Sequence, residues 1–169
     1  LVAVGRRPYI TEDVRKLGLE IERGVVTNSR MQTNIKGIYA IGDIRAGMML
    51  AHVASYEGIV AAHNIAGEVM EMDYSAVPSI IFSNPEVGST GIKEDDVEDM
   101  ERVIIAKFPL SANGRARTVL ENTGFAKVIA DKENGKVLGM SIVSPSATEL
   151  IMEGVIAVRN GLTVEELEN

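Results

Sequence analysis

Two apolar runs, Phe125-Ala126-Lys127-Val128-Ile129-Ala130 and Val137-Leu138-Gly139-Met140-Ser141-Ile142-Val143, are joined by Asp131-Lys132-Glu133-Asn134-Gly135-Lys136. No other feature of the 169 residues limits the fold as much. Asn-Gly between two apolar segments supplies the positive φ of a tight reversal, so the runs are read as an antiparallel hairpin. A helix is expected next, over residues 146–160. Pro145 precedes it, Ser146 and Glu149 have capping-box spacing, and Gly161 stops it. Ala147, Leu150, Ile151, Val155 and Val158 share one face, whereas Met152 and Ile156 lie elsewhere. A helix apolar on two sides is covered on two sides. Upstream, strands are expected at residues 79–82 and 103–108. Between them lie a Pro/Gly-containing loop and a charged helix over residues 93–100. Asn113-Gly114-Arg115 reads as a polar connection. Strands followed by a helix give an α+β unit, an antiparallel sheet with helices on one face.

The first half has a different pattern. Leu1-Val2-Ala3-Val4 is an apolar β-type run that turns at Gly5-Arg6-Arg7-Pro8. A short helix is expected over residues 11–17, capped by Thr11 and ended by Gly18. A small hairpin broken at Gly24 is expected over residues 20–27. Ile38-Tyr39-Ala40-Ile41 reads as a short strand ending at Gly42-Asp43. The clearest helix spans residues 50–66 and stops at Gly67. One strip of it carries Ala51, Ala54, Gly58, Ala61, Ala62 and Ile65, small residues that let another backbone approach. The composition shifts around Tyr74-Ser75-Ala76-Val77-Pro78, which sets a boundary between residues 1–76 and 77–169. Thr163 with Glu166 is a second capping box, with little more than a turn after it. Both ends read as cuts from a longer polypeptide. No signal-peptide pattern opens the chain, and a cytoplasmic location is expected.

Charge and composition remove several function classes. Seventeen Lys and Arg against 24 Asp and Glu leave a net charge of −7, with no electrostatic attraction to nucleic acid or an anionic membrane. No apolar run approaches the roughly eighteen residues of a membrane span. There is no cysteine, so disulfides, thiolate metal sites and thiol catalysis are excluded within these residues. Two isolated histidines, His52 and His63, lack metal-ligand spacing. The eight methionines are read as core filling. Glu149 and Glu153, four apart, are expected on an exposed face. Asn113-Gly114-Arg115-Ala116-Arg117 is read as a solvated loop or subunit contact.

The residues that can carry chemistry lie at one place. Asp43 follows a short apolar segment, and an ionised carboxylate there is an acceptor suited to sugar hydroxyls. A few residues later Met48-Met49-Leu50-Ala51-His52 opens a helix, whose start offers unpaired N–H groups and a positive dipole end. Together they suit a ligand with a polyol arm and an electron-accepting ring.

Gly5-Arg6-Arg7-Pro8, Ile38-Tyr39-Ala40-Ile41-Gly42-Asp43, Met49-Leu50-Ala51-His52 and Glu57-Gly58 together resemble the flavin-dependent disulfide oxidoreductases. Pro78-Ser79-Ile80-Ile81-Phe82-Ser83-Asn84-Pro85-Glu86-Val87-Gly88 resembles the start of that family's interface domain. The resemblance runs in order along essentially the whole chain. It implies α/β plus α+β architecture: the end of a split, Rossmann-like FAD/NAD-binding domain, then an antiparallel-sheet interface domain that dimerises. By the same resemblance, Asp43 holds the FAD ribityl chain. Met49, Leu50, Ala51 and His52 meet the flavin largely through backbone groups, and Gly5 lies against NAD. The implied activity is oxidation of protein-bound dihydrolipoyl groups, with electrons passing through a cysteine pair and FAD to NAD. The implied partners are a second copy of the chain and the lipoyl domains of 2-oxo acid dehydrogenase or glycine cleavage complexes. Mercuric or glutathione reductase chemistry, or a non-catalytic dimerisation scaffold, are the alternatives. The family's Gly-rich FAD fingerprint, its cysteine pair and its nicotinamide-binding loop are not among these residues, nor is its His-Pro and Glu acid/base motif. Neither His52 nor His63 precedes a proline, no catalytic residue is assigned, and the chain alone is expected to be inactive.

Overall fold

A computed structural model describes all of residues Leu1–Asn169, which form two compact units, Leu1–Asp73 and Tyr74–Asn169. The second unit is built on one antiparallel sheet of five strands in the order β1-β2-β5-β4-β3. The strands are β1 (Ser79–Ile81), β2 (Glu86–Gly91), β3 (Val103–Pro109), β4 (Phe125–Asp131) and β5 (Val137–Ser144). The β4–β5 hairpin forms as the sequence requires. Asp131 closes it, its Oδ1 accepting from the N–H groups of Glu133 and Asn134, while Gly135 takes φ +72°. β3 and β1 are the two edges of the sheet.

The long helix of this unit, Ala147–Asn160, packs on β2 and β5. The chain contains five α-helices: α1 (Glu12–Arg15), α2 (Ala51–Ile65), α3 (Gly114–Thr118), α4 (Ala147–Asn160) and α5 (Val164–Glu168). Met140 and Ile142 of β5 meet Ala147 and Ile151 of α4 in the core, with Ile80, Ala126, Val128 and Leu167 packed around them. Glycine sets the spacing of helix and sheet. A Cβ on Gly88 would lie 2.8 Å from the Ala147 carbonyl oxygen, and one on Gly154 would lie 2.9 Å from both Cβ and Sδ of Met140.

Several expectations change in this unit. Residues 83–91 hold a strand as well as a loop, because β2 pairs with β1 on one side and β5 on the other. The charged helix expected at residues 93–100 is absent. In its place are two short 3-10 turns, Glu94–Asp96 and Met100–Arg102, separated by extended Val97. Asp99 accepts from the Glu101 N–H and Glu94 pairs with Lys127 of β4 at 2.6 Å, so side chains compete locally with helical bonding. Asn113 caps α3, its Oδ1 accepting from the Ala116 N–H at 2.9 Å, where only a polar connection was expected. The Ser146–Glu149 capping box does not form either. The Glu86 carboxylate of β2 takes its place, accepting from both the N–H and the hydroxyl of Thr148. Gly161 ends α4 at φ +63°, and the Thr163–Glu166 capping box opens α5.

The buried stripe of α4 is Ala147, Ile151, Gly154 and Ala157, narrower than the face expected. Leu150, Met152 and Ile156 are exposed, so the second apolar side of α4 is uncovered within the chain. Glu149 and Glu153 are exposed beside it. The sheet face under α4 also continues outward. Cross-strand register puts Phe108 opposite Ala126 and Ala106 opposite Val128, and both Ile104 and Phe108 are about half exposed. Of the eight methionines only Met31, Met72 and Met140 are buried, so core filling accounts for part of them.

The first unit has little sheet. Residues 1–4 form no strand and are exposed, and the expected strand at residues 38–41 reduces to an isolated bridge between Tyr39 and Gln32. Apolar runs this short lack partner strands here to complete their hydrogen bonding. The hairpin expected at residues 20–27 is likewise a single bridge, Ile21 with Val25. α1 is one turn, with Thr11 as its cap. Ile10, Val25 and Ala40 form the core of this unit, surrounded by Val14, Leu19, Ile21 and Ile44. α2 matches the expected helix within a residue at each end, and Gly67 follows it at φ +89°.

Replacing Gly154 with Val places side-chain atoms inside the contact radius of Met140. The expected loss is about 1–3 kcal/mol of stability, read as a lower urea midpoint; an unchanged midpoint would mean that the helix–sheet spacing is not fixed at this glycine. A second prediction concerns acid. The Thr148 hydroxyl, and then its N–H, hold the Glu86 carboxyl below its ordinary 4.5. A carboxyl whose folded pKa is lowered stabilises fully above the unfolded value and loses that contribution as pH falls through the folded one. Glu86→Gln should therefore lower the thermal midpoint at pH 7, with the difference from the parent shrinking below pH 4.5. A difference that stays constant down to pH 3 contradicts the assignment.

Candidate functional site

The site is built on α2 and the turn before it. Residues Gly42–Arg45 form a 3-10 turn that ends at Ala46 in the left-handed conformation, φ +56°. This turn packs on α2. A Cβ on Gly42 would lie 3.2 Å from the Ala54 Cβ, and one on Gly58 would lie 3.5 Å from the Ile41 side chain. One residue of the small-residue strip thus does what was expected of it: Ala54 lies close against Gly42 of the turn, whereas Gly58 meets the Ile41 side chain at ordinary contact distance. The turn is also held from its other side. The Val25 N–H donates to the Ile44 carbonyl at 2.9 Å. Gly24 lies so close that a Cβ there would sit 2.4 Å from the Arg45 carbonyl carbon.

The strongest contacts run to a residue that the sequence reading used only as part of a pattern. Glu57 lies on the buried face of α2 with Val53, Val60 and Ala61 and is 2% exposed. Its carboxylate accepts from the Gly42 N–H at 2.6 Å and forms an ion pair with Arg45. The Arg45 Nε donates to Thr27 Oγ1 at 2.7 Å. A buried carboxylate is costly unless it is paired and hydrogen-bonded, and here it has both an ion-pair partner and a backbone donor. The signal was available in the sequence: a Glu at helical spacing within an apolar stripe has to find a cation.

Asp43 sits on the same turn with the opposite character. It is exposed, and its carboxylate makes no hydrogen bond or ion pair within the chain. Four residues beyond the turn, Leu50 caps α2 without a side-chain hydrogen bond. The first N–H groups of a helix have no partner within its own hydrogen-bond ladder, so a helix start of this kind is a place where backbone donors can meet another molecule. Met49 and Leu50 are half-buried, while Ala51 and His52 are exposed on the first turn. The structure therefore brings Asp43 and the Met49–His52 run to one helix and the turn packed on it. Acceptor-only Asp43 and an uncapped helix start fit hydroxyls and an electron-rich ring edge respectively. Gly5 is different. It lies in an exposed segment at φ +95°, and a Cβ there would meet nothing within 4 Å, so the space beside it is open. His63 pairs with Glu68 near the end of α2, and no group of three or more His, Asp or Glu could hold a metal ion.

Residues 77–169 match the model of the pyridine nucleotide-disulphide oxidoreductase dimerisation domain, and residues 1–58 match that of pyridine nucleotide-disulphide oxidoreductase. A dihydrolipoyl dehydrogenase of Bacillus subtilis is 45% identical over 99% of this chain and 36% of its own length. One from Chlamydia muridarum is 47% identical over 97% of this chain and 36% of its own length. Among solved structures, LpdA from Mycobacterium tuberculosis superposes with a TM-score of 0.85 at 28% identity, over 95% of this chain and 36% of that one. The chain thus spans little more than a third of the length of the relatives it matches.

Proposed function

Since the chain belongs to the pyridine nucleotide-disulphide oxidoreductase family, we propose that it works as part of a flavoprotein that oxidises protein-bound dihydrolipoamide and passes the electrons through FAD to NAD. Residues 1–76 contribute to cofactor binding and residues 77–169 form the interface domain. The observation that carries this reading is the pairing of an unpartnered Asp43 carboxylate with the uncapped start of α2. The names of the relatives direct it to dihydrolipoamide. Asp43 accepts hydrogen bonds from the ribityl hydroxyls of FAD. Backbone groups of Met49, Leu50, Ala51 and His52 meet the isoalloxazine ring, where the positive end of α2 favours the negative charge of the reduced state. When bound, FAD supplies the two-electron relay between dithiol and nicotinamide. Gly5 approaches NAD, and lipoyl domains of 2-oxo acid dehydrogenase or glycine cleavage complexes deliver the dithiol. These 169 residues contain no thiol for exchange with that dithiol, so turnover needs a cysteine pair from outside them.

The exposed side of α4, with Met152 and Ile156, and the outer sheet residues Ile104 and Phe108 are covered by a second copy of the chain. The family match of residues 77–169 to a dimerisation domain supports that occupant. A twofold axis makes the same patch serve both subunits.

Two measurements test these statements. In the full-length flavoprotein, Asp43→Ala removes a charge-assisted hydrogen bond and should weaken FAD binding by about 1.5–3 kcal/mol. Full flavin absorbance after gel filtration, with unchanged affinity, refutes the assignment. For the interface, sedimentation should show a dimer at micromolar concentration that Ile156→Glu converts to monomer. A monodisperse monomer for the parent chain at high micromolar concentration removes the second copy as the cover.

A further inference from the structure

The geometry points to Glu57 as a positioning residue for Asp43, one that works by holding the Arg45 guanidinium away from it. This inference rests on the reading of Asp43 as the acceptor for the cofactor's polyol arm. Asp43 and Arg45 stand two residues apart on one short turn, Gly42–Arg45. A guanidinium that does pair with an exposed carboxylate often does so through two parallel hydrogen bonds, and the carboxylate's lone pairs are then taken. Here that pairing is absent. The Arg45 side chain turns inward, is only 14% exposed, and is held by Glu57 and by Thr27 Oγ1. Asp43 is left with no partner in the chain.

The same carboxylate fixes the turn itself. Glu57 accepts from the N–H of Gly42, the residue immediately before Asp43. One buried group therefore sets where Asp43 begins and removes the cation that would compete for it. Glu57 also comes from α2, the helix whose start faces the ring in the proposed function. Both parts of the site are thereby referred to one element. Glu57 touches neither cofactor nor substrate in this account, and its effect on binding passes entirely through Asp43.

The experiment uses the full-length flavoprotein stripped of FAD, with FAD titrated back and flavin fluorescence recorded. Four variants are compared with the parent: Glu57→Gln, Asp43→Ala, the pair of these, and Glu57→Gln with Arg45→Met. Glu57→Gln should weaken FAD binding about tenfold. Adding it to Asp43→Ala should cost nothing further, because the route through Asp43 is already gone. Adding Arg45→Met to Glu57→Gln should restore most of the affinity, because the competing cation has been removed. Parent-like affinity in Glu57→Gln overturns the inference, as does an additive loss with Asp43→Ala or no recovery with Arg45→Met. If Asp43→Ala binds FAD like the parent, the polyol assignment itself has failed. If Asp43→Ala weakens binding and Glu57→Gln does not, only the role of Glu57 has failed. Should Glu57→Gln alone not fold by circular dichroism, the Glu57→Gln, Arg45→Met pair carries the test. Affinity near the parent's then supports the inference, and affinity as weak as that of Asp43→Ala overturns it.

Discussion

A backbone N–H turned toward a protein interior must find an acceptor, and in both units of this chain the acceptor is a carboxylate brought from elsewhere in the sequence. In the first unit Glu57 reaches the N–H of Gly42 and fixes the turn that carries Asp43. In the second, Glu86 reaches the N–H and hydroxyl of Thr148 and fixes the start of α4 on the sheet. The two carboxylates differ in setting. Glu57 is buried, and its charge is met by Arg45. Glu86 is only partly covered, and the hydrogen bonds from Thr148 suffice to keep it ionised to lower pH. Each joins segments that local chain preference would leave independent.

Much of the second unit was legible because its signals are local. The Asn134-Gly135 reversal, the Thr163–Glu166 capping box and the Gly161 stop each depend on a few adjacent residues, and each appears in the structure. What failed was long-range. Glu86–Gly91 has three polar or charged residues and two glycines among six, a poor strand by composition. It is a strand because β1 and β5 supply hydrogen bonds on both sides and α4 packs on Gly88. Ser146 lost its capping role to a residue 62 positions from Thr148, a partner that no local pattern can reveal. The acidic run at residues 93–100 had the charge pattern of a helix start but lacked the apolar periodicity that would anchor one.

In the candidate site, the residues that face outward were easier to read than those that hold them. Asp43 and the Met49–His52 run stand out by residue type and by their order along the chain. Their support runs through Arg45, which bonds Thr27 on one side and Glu57 on the other, so it is drawn from three segments. The small-residue strip on α2 meets the turn closely at Ala54, yet the buried face proper runs through Val53, Glu57, Val60 and Ala61. An apolar stripe interrupted by one carboxylate carried the information, and a search for its cation would have led to Arg45.

The sheet has two edges of unequal length. β1 contributes three residues, whereas β3 runs for seven and ends the sheet on the other side. A long free edge presents a row of unpaired donors and acceptors to any extended segment that drifts past. Two features of β3 limit that hazard. Pro109 ends the strand without a donor, and Lys107 places a cation between Ile105 and Phe108, with its ammonium 3.9 Å above the Phe125 ring. A chain newly made, before it meets any partner, would carry this edge bare. In that interval one lysine and one proline are what the strand itself sets against such pairing.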